Sequence, residues 1–265
     1  MKHILLPTDF SENAQAAANF VCSSFNPQSV KLYLMHSVVP PRSTPGMMIN
    51  ISTLIQNDAE KDIELERQRL LDHFGNEWSI ETGVKQGYLQ DTIPSFCRGL
   101  SIDLIAMGTQ GENSLSSKVF GSNTENIIRR GYAPVLAIPE NYEVQKEVVV
   151  NIATEHEHVP QESVLLSMLE ALQHTTQLRM KVLRVVDGES GKSPKSIEVG
   201  GLQVPVEVEI ASNVEEGISH YLENHGGDIL VLYHEHNSRL DYLFSRSTTK
   251  KLAGKIQVPM IILPS

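Results

Sequence analysis

Two glycine-rich segments near the middle of the chain have the residue types of a phosphate site. The first is 107–111, reading Met-Gly-Thr-Gln-Gly, and the second, nine residues later, is 121–124, reading Gly-Ser-Asn-Thr. Glycines let backbone N–H groups approach an anion because no Cβ stands in the way. The hydroxyls of Ser122 and Thr124 can add donors to phosphate oxygens. These residues predict a phosphate site, and the plainer alternative is a turn at the glycines with a helix cap at Ser122.

The elements around these segments would place them where an open parallel sheet binds ligands. The apolar run 104–108 predicts a buried strand that ends at the first segment. The second segment opens a helix predicted over 125–130, whose N-terminus supplies free N–H donors and a partial positive charge. The carboxyl edge of a parallel sheet beside a helix N-terminus is the usual ligand position in such folds.

Short apolar runs alternate with helical patterns through the first half of the chain. Runs bounded by turn formers predict further strands at 4–7, 32–39 and 135–138. Apolar residues at helical spacing predict helices over 14–25, behind the good N-cap Ser11, and over 63–74. This alternation predicts an α/β fold with a parallel sheet and helices on both faces.

The second half of the chain repeats the pattern of the first. Residues 103–107 match 228–232 at an offset of 125, whereas near the start of each half Thr8 matches Thr154 at an offset of 146. We therefore predict two tandem five-stranded parallel-sheet domains, 1–140 and 147–265.

Composition restricts the partners of the chain. A net charge of −10 with no run of five basic residues argues against nucleic acid. No apolar run approaches the roughly 20 residues needed to cross a bilayer, and the N-terminal apolar stretch is too short for a signal peptide. Cys22 and Cys97 make no disulfide framework and are expected to be small buried hydrophobes. We expect a cytoplasmic protein with no nucleic-acid or membrane partner.

The glycine spacing resembles the nucleotide signature of the universal stress protein family. That pattern is Gly, two residues, Gly, nine residues and Gly-Ser, here preceded by Asp-Leu-Ile-Ala-Met and followed by Asn-Ile-Ile and Ala-Pro-Val. Segments 4–11 and 83–87 also resemble the first and third strands of the family, so the likeness covers nearly all of 1–139. It implies a Rossmann-like fold of the adenine nucleotide alpha hydrolase type that binds ATP with Mg or Mn.

The resemblance assigns the site residues to parts of the nucleotide. Adenine and ribose would lie against Pro7, Thr8, Asp9 and the backbone near Ser37. The ribose and the first phosphates would be lined by Met107, Gly108, Gln110 and Gly111. The β- and γ-phosphates would be cradled by Gly121, Ser122 and Asn123. By its own chemistry Asp9 can accept ribose hydroxyls at a strand end, or it can serve the helix cap at Ser11.

The second half lacks the glycines of this pattern. Tyr233, His236 and Arg246 stand at the positions of Gly108, Gly111 and Gly121. Each adds a side chain where backbone would meet phosphate, so we expect no nucleotide bound in the same way there.

Histidines follow two strands of the second half that are neighbours in the family's sheet order. His156 and His158 follow its first strand, and His234 and His236 follow its fourth. Residues two apart on a strand share a face, so the four imidazoles can converge on a zinc-like ion. The alternative is four exposed loop histidines.

The family resemblance implies an ATP-binding stress-response regulator or protective factor rather than a fast enzyme. Phosphoryl transfer needs a positioned base and charge-stabilising groups, for which Glu112 and Lys118 are the only candidates in the glycine-rich loop. One alternative is a slow ATPase or adenine-nucleotide hydrolase using the same site. Another is a small-molecule or metal-binding module that uses the second domain. Members of this family commonly dimerise by pairing their last strands, so the resemblance implies that 135–138 and 259–263 can pair within one chain as an intramolecular pseudo-dimer. Assembly of two chains into a homodimer stays open.

Overall fold

The computed structural model describes residues 1–39, 48–109, 120–140, 142, 147–154, 156, 158–172, 177–188, 193–234 and 257–264. The elements of the first half are β1 (Lys2–Pro7), α1 (Glu12–Ser24), β2 (Val30–Val38), α2 (Met48–Phe74), β3 (Ser79–Gln86), α3 (Leu89–Leu100), β4 (Leu104–Gly108), α4 (Ser122–Arg130) and β5 (Val135–Ile138). Those of the second half are β6 (Glu147–Ala153), α5 (Glu162–Leu169), β7 (Gln177–Val186), β8 (Ser196–Val199), β9 (Leu202–Ile210), α6 (Val214–His225), β10 (Ile229–His234) and β11 (Met260–Pro264).

The eleven strands of the described residues lie in one sheet, in the order β3-β2-β1-β4-β5-β11-β10-β6-β7-β9-β8. Within each half the main strands are parallel, so the predicted α/β class is confirmed. The two halves meet where β5 pairs antiparallel with β11, with Ala137 opposite Met260. The predicted pairing of the last strands is therefore confirmed.

The helix starts follow from local capping. Ser11 is extended at ψ 160° and its Oγ accepts the N–H of Ala14 at 3.3 Å, which is the predicted N-cap. α4 begins at Ser122, three residues before the predicted start, because extended Gly121 accepts the first helical bond from Glu125 N at 2.9 Å.

The same aspartate contact occurs in both halves. The Oδ2 atom of Asp103 accepts the N–H of His3 at 2.8 Å, and Oδ2 of Asp228 accepts the N–H of Val149 at 2.8 Å. Each aspartate also donates its own N–H to the carbonyl of the same partner, at 2.9 Å in both cases. The partners stand at the offsets of the sequence repeat, 125 for the aspartates and 146 for the strand residues.

The halves differ between their second and third parallel strands. In the first half α2 lies there and buries Ile63, Leu70 and Leu71. In the second half the described residues at this place form β8, which pairs antiparallel with β9. The described part of the second half therefore has six strands rather than the five predicted. Ile210 of β9 is 66% exposed.

The core has one layer on each face of the sheet, and each layer runs through both halves. Because side chains alternate along a strand, Ile4 and Leu6 belong to one layer and Leu5 to the other. Leu263 and Ile262 divide in the same way on β11. The junction between the halves is thus a continuous part of the hydrophobic core.

Charged residues interrupt the apolar residues of α2, which has 27 residues and is the longest described helix. Within the described part of the chain, no helix has the length and apolar composition needed to cross a membrane.

Burial protects both thiols from ionisation. Cys22 is buried and Cys97 half-buried, and burial raises the pKa of Cys22 to about 12 and that of Cys97 to about 11, against an ordinary value of 9.0. Unfolded thiols ionise as pH rises through 9, whereas the folded ones do not. Ionisation of the thiols therefore leaves the stability of the folded state unchanged below about pH 9 and lowers it as pH rises above 9.

We expect both cysteines to react slowly with iodoacetamide at pH 8.5 in the folded protein. A pKa of about 11 leaves Cys97 with a thiolate fraction roughly a hundredfold lower than that of a free thiol. Mass spectrometry before and after addition of urea measures the labelling. Rapid native labelling of Cys22 would contradict its burial.

Candidate functional site

The first crevice is the gap between the carboxyl ends of β1 and β4. These strands are parallel neighbours, with Ile4 opposite Leu104. The chain leaves β1 through α1 towards β2 on one side, and leaves β4 through α4 towards β5 on the other. Such a reversal of direction opens a crevice at the sheet edge, where ligands bind in open α/β sheets. Pro7 ends β1 and Gly108 ends β4. The predicted adenine and ribose residues after β1 therefore lie at the same sheet edge as the end of β4, where the first glycine-rich segment begins.

Hydrogen bonds fix the turn after β1. Thr8 N donates to Met35 O at 2.8 Å, and the Oγ1 atom of Thr8 accepts the N–H of Phe10 at 3.0 Å. His36 Nδ1 lies 2.7 Å from Thr8 O, and its ring lies 4.7 Å from that of Phe10. Phe10 has a φ of 64°, a left-handed conformation that costs a non-glycine residue of order 1 kcal/mol. The surrounding contacts hold this strained turn at the crevice.

Asp9 is exposed at the crevice and also takes part in the helix cap. Its Oδ1 atom accepts the N–H and the hydroxyl of Ser11, at 3.2 Å and 2.5 Å. This is the capping alternative foreseen for Asp9. Within the described structure the second carboxylate oxygen accepts no hydrogen bond, so one oxygen stays free for a ligand hydroxyl.

Gly108 has a packing reason to be glycine. A Cβ added there would lie 2.6 Å from the carbonyl oxygen of Asn13, in the first turn of α1. The close approach at this glycine is therefore between β4 and α1. Gly108 sets how near the start of α1 lies to the crevice, whatever the ligand.

Thr124 does not offer its hydroxyl to a ligand. The residue is buried, and Oγ1 donates to Gly108 O at 2.9 Å. The prediction that Thr124 is a phosphate donor is therefore wrong, because the hydroxyl satisfies a strand-end carbonyl instead. Together with the bond from Gly121 N to Thr109 O, at 2.5 Å, it ties the start of α4 to the end of β4.

The first turn of α4 carries the donors that the sequence predicts. Helix geometry leaves the N–H groups of Ser122 and Asn123 without intrahelical acceptors, and both residues are exposed. Gly121, before them, has no side chain and makes no side-chain cap. These amides and the helix dipole favour an anion at this end of the crevice.

The remaining residues predicted to bind nucleotide differ in their exposure, and two of them lie outside the described residues. Ser37 is half-buried in β2, opposite Lys85 of β3. Met107 is 6% exposed and packs in the core, so its side chain leaves little surface for a ribose. Gln110 and Gly111, like Glu112 and Lys118, lie outside the described residues.

The second crevice is the corresponding gap between β6 and β10, which are also parallel neighbours. Its first turn repeats that of the first crevice: Thr154 N donates to Leu183 O at 3.2 Å, and Thr154 Oγ1 accepts the N–H of His156 at 3.1 Å. Tyr233, at the position of Gly108, is buried in the core at 1% exposure. His236 and Arg246 lie outside the described residues.

The four-histidine metal site stays a prediction. The rings of His156 and His158 lie 6.1 Å apart, and His234 ends β10, the neighbour of β6. His236 lies outside the described residues. Among the residues that the structure does describe, no three His, Cys, Asp or Glu side chains are grouped as a metal site.

Comparisons with known proteins agree with this geometry. A model of the universal stress protein family matches residues 1–139. Universal stress protein MJ0577 of Methanocaldococcus jannaschii is 24% identical over 152 residues, which are 52% of this chain and 94% of that protein.

Solved structures resemble one half of the chain or nearly all of it. A universal stress protein from Archaeoglobus fulgidus matches 99% of this chain and 96% of its own, with a TM-score of 0.70 and 15% identity, which shows the fold of both halves. Another universal stress protein, described in complex with cAMP, matches 53% of this chain and 98% of its own at a TM-score of 0.40 and 17% identity.

We expect Gly108→Ala to lower the free energy of unfolding by about 1–3 kcal/mol, because the new methyl group overlaps the Asn13 carbonyl. Urea denaturation measures the change. Gly99→Ala is the matched control, since its Cβ would meet nothing within 4 Å inside α3. Replacing a helical glycine should raise stability by about 0.5–1 kcal/mol. Equal stability of the Gly108→Ala variant and the wild type would contradict the packing role.

Proposed function

This chain belongs to the universal stress protein family, and we propose that it is an ATP-binding, nucleotide-dependent stress-response regulator or protective factor without fast catalysis. One observation carries the proposal. The bond from Thr124 to Gly108 O holds the open first turn of α4 beside the strand ends that form the first crevice. A carboxylate that can accept hydroxyls, Asp9, stands at the same edge.

The first crevice suits the two chemically different ends of a nucleotide. The amides of Ser122 and Asn123 would bind the terminal phosphates, and residues 110 and 111 would line the first phosphates, as the resemblance implies. The free oxygen of Asp9 would accept a ribose hydroxyl, and the β2 backbone near Ser37 would read the adenine edge. Mg or Mn would neutralise part of the phosphate charge when the nucleotide is bound.

We further propose two domains, 1–140 and 147–265, in one cytoplasmic chain. The repeated contacts of Asp103 and Asp228 and the mirrored strand orders support this division. Because β5 and β11 pair with each other, the edges that two separate domains would use to dimerise are already occupied. The chain is then its own pseudo-dimer.

We expect calorimetry with Mg·ATP to detect binding to the wild type and not to Gly121→Val. Gly121 has an extended backbone, φ −64° and ψ 162°, which valine adopts readily, so the substitution should not strain the backbone at this residue. Its methyl groups would stand in front of the first-turn amides.

The control is Ser122→Ala, which removes a hydroxyl and leaves the amide. We expect it to change the dissociation constant by less than about tenfold. The proposal would be contradicted by a wild type that gives no binding heat, or by a Gly121→Val variant that binds ATP like the wild type.

Turnover separates this regulator from a slow ATPase. We expect phosphate release with Mg·ATP to stay well below about 1 per second, the low end of common kcat values. A rate at or above that value, abolished by Gly121→Val, would make the first crevice a catalytic site.

A further inference from the structure

The second crevice contains a cation, Arg184, at the position where the first crevice has His36. Thr8 N bonds to Met35 O and Thr154 N bonds to Leu183 O, so the residues that follow, His36 and Arg184, occupy corresponding positions. His36 contacts the Thr8 carbonyl at 2.7 Å, whereas an Nη2 hydrogen of Arg184 binds the His156 carbonyl, also at 2.7 Å. A guanidinium thus replaces an imidazole beside the turn.

Arg184 has no compensating carboxylate in the described part of the chain. It is half-buried, and its Nε atom is buried without a hydrogen-bond partner. The other arginines described are either exposed, as Arg98 is, or paired with an acid. The paired ones are Arg67, Arg69, Arg129, Arg130 and Arg179.

A partly buried guanidinium is costly where no acid pairs with it. Its charge persists at every physiological pH, and burying part of it without an opposite charge loses hydration that a neutral carbonyl only partly replaces. The bond from Nη2 to the His156 carbonyl fixes the orientation of the planar group, and among the described residues no second hydrogen bond from this guanidinium is found. Charged groups retained in such a place commonly serve recognition.

The position of Arg184 is where a ligand would bind. The chain leaves β6 through α5 towards β7, and β10 is followed in the sheet by β11 on the other side, so the second crevice is also a topological switch point. His156 and His158 follow the same strand end, and their rings lie 6.1 Å apart.

We propose that the second crevice binds an oxyanion, a phosphate or carboxylate group of a small molecule, with Arg184 as its anchor. The two halves then take anions by different means. The first crevice uses backbone amides, and the second uses a guanidinium whose forked donors match two oxygens of one anion. This proposal holds whether or not the first crevice binds ATP.

Calorimetry with inorganic phosphate tests the proposal on the full chain. We expect Arg184→Ala to weaken phosphate binding by about tenfold or more, as loss of a charge-assisted bond does. Arg179→Ala is the matched control, because Arg179 lies on the same strand and pairs with Glu147 away from the crevice. It should bind phosphate like the wild type. Phosphate that binds in the first crevice should do so equally in the wild type and in both variants, so it does not affect the difference in binding between them.

A second variant of Arg184 and a competition experiment complete the test. Arg184→Lys keeps the charge without the fork and should lose less affinity than alanine, and it carries the test if the alanine variant does not fold. Competition by acetate would identify a carboxylate ligand, and its absence a phosphate ligand. Phosphate binding that is unaffected by either Arg184 substitution, or a wild type that binds zinc and no phosphate, would overturn the proposal.

Discussion

The antiparallel pairing of β5 with β11 joins the two halves of the chain. Three residue pairs, from Val135 opposite Ile262 to Ala137 opposite Met260, turn two sheets into one. An exposed strand edge has unpaired N–H and C=O groups and invites association with other chains. Joining the two edges satisfies those groups and lets both core layers continue across the junction. The ends of α1 and α5 add a bridge between Phe25 and Leu172 at the same boundary.

The same scaffold supports different chemistry at its two crevices. In each half a threonine after the first strand accepts an N–H from the residue two positions on, so the turn has the same shape. What differs is the residue that approaches from the second strand, His36 in one half and Arg184 in the other. Tyr233 also fills the core where Gly108 lets α1 approach β4. A repeated backbone therefore positions two sites whose ligands are chosen by a few side chains.

Most of the fold could be predicted because it depends on local patterns. The bounds of β4 and β5 followed from short apolar runs between turn formers, and α1 from its serine cap. The start of α4 was misplaced because no propensity indicates that a glycine–serine pair belongs to a first helical turn. The sixth strand of the second half was missed, since an antiparallel β8 has no counterpart in the repeat.

At the site, glycine spacing located the crevice, whereas the burial of Met107 and the internal bond of Thr124 depend on neighbours distant in sequence.

The fold class, the repeat and the segments that meet at the first crevice could be predicted from residue type and periodicity, which act over a few positions along the chain. Which donors are already bonded within the protein depends on packing, because a hydroxyl such as that of Thr124 bonds to whichever carbonyl the assembled strands bring within 3 Å. The charge of Arg184 is equally visible in the sequence. Its lack of a carboxylate partner in the described part of the chain is a property of distances, and those exist only once the strands are assembled.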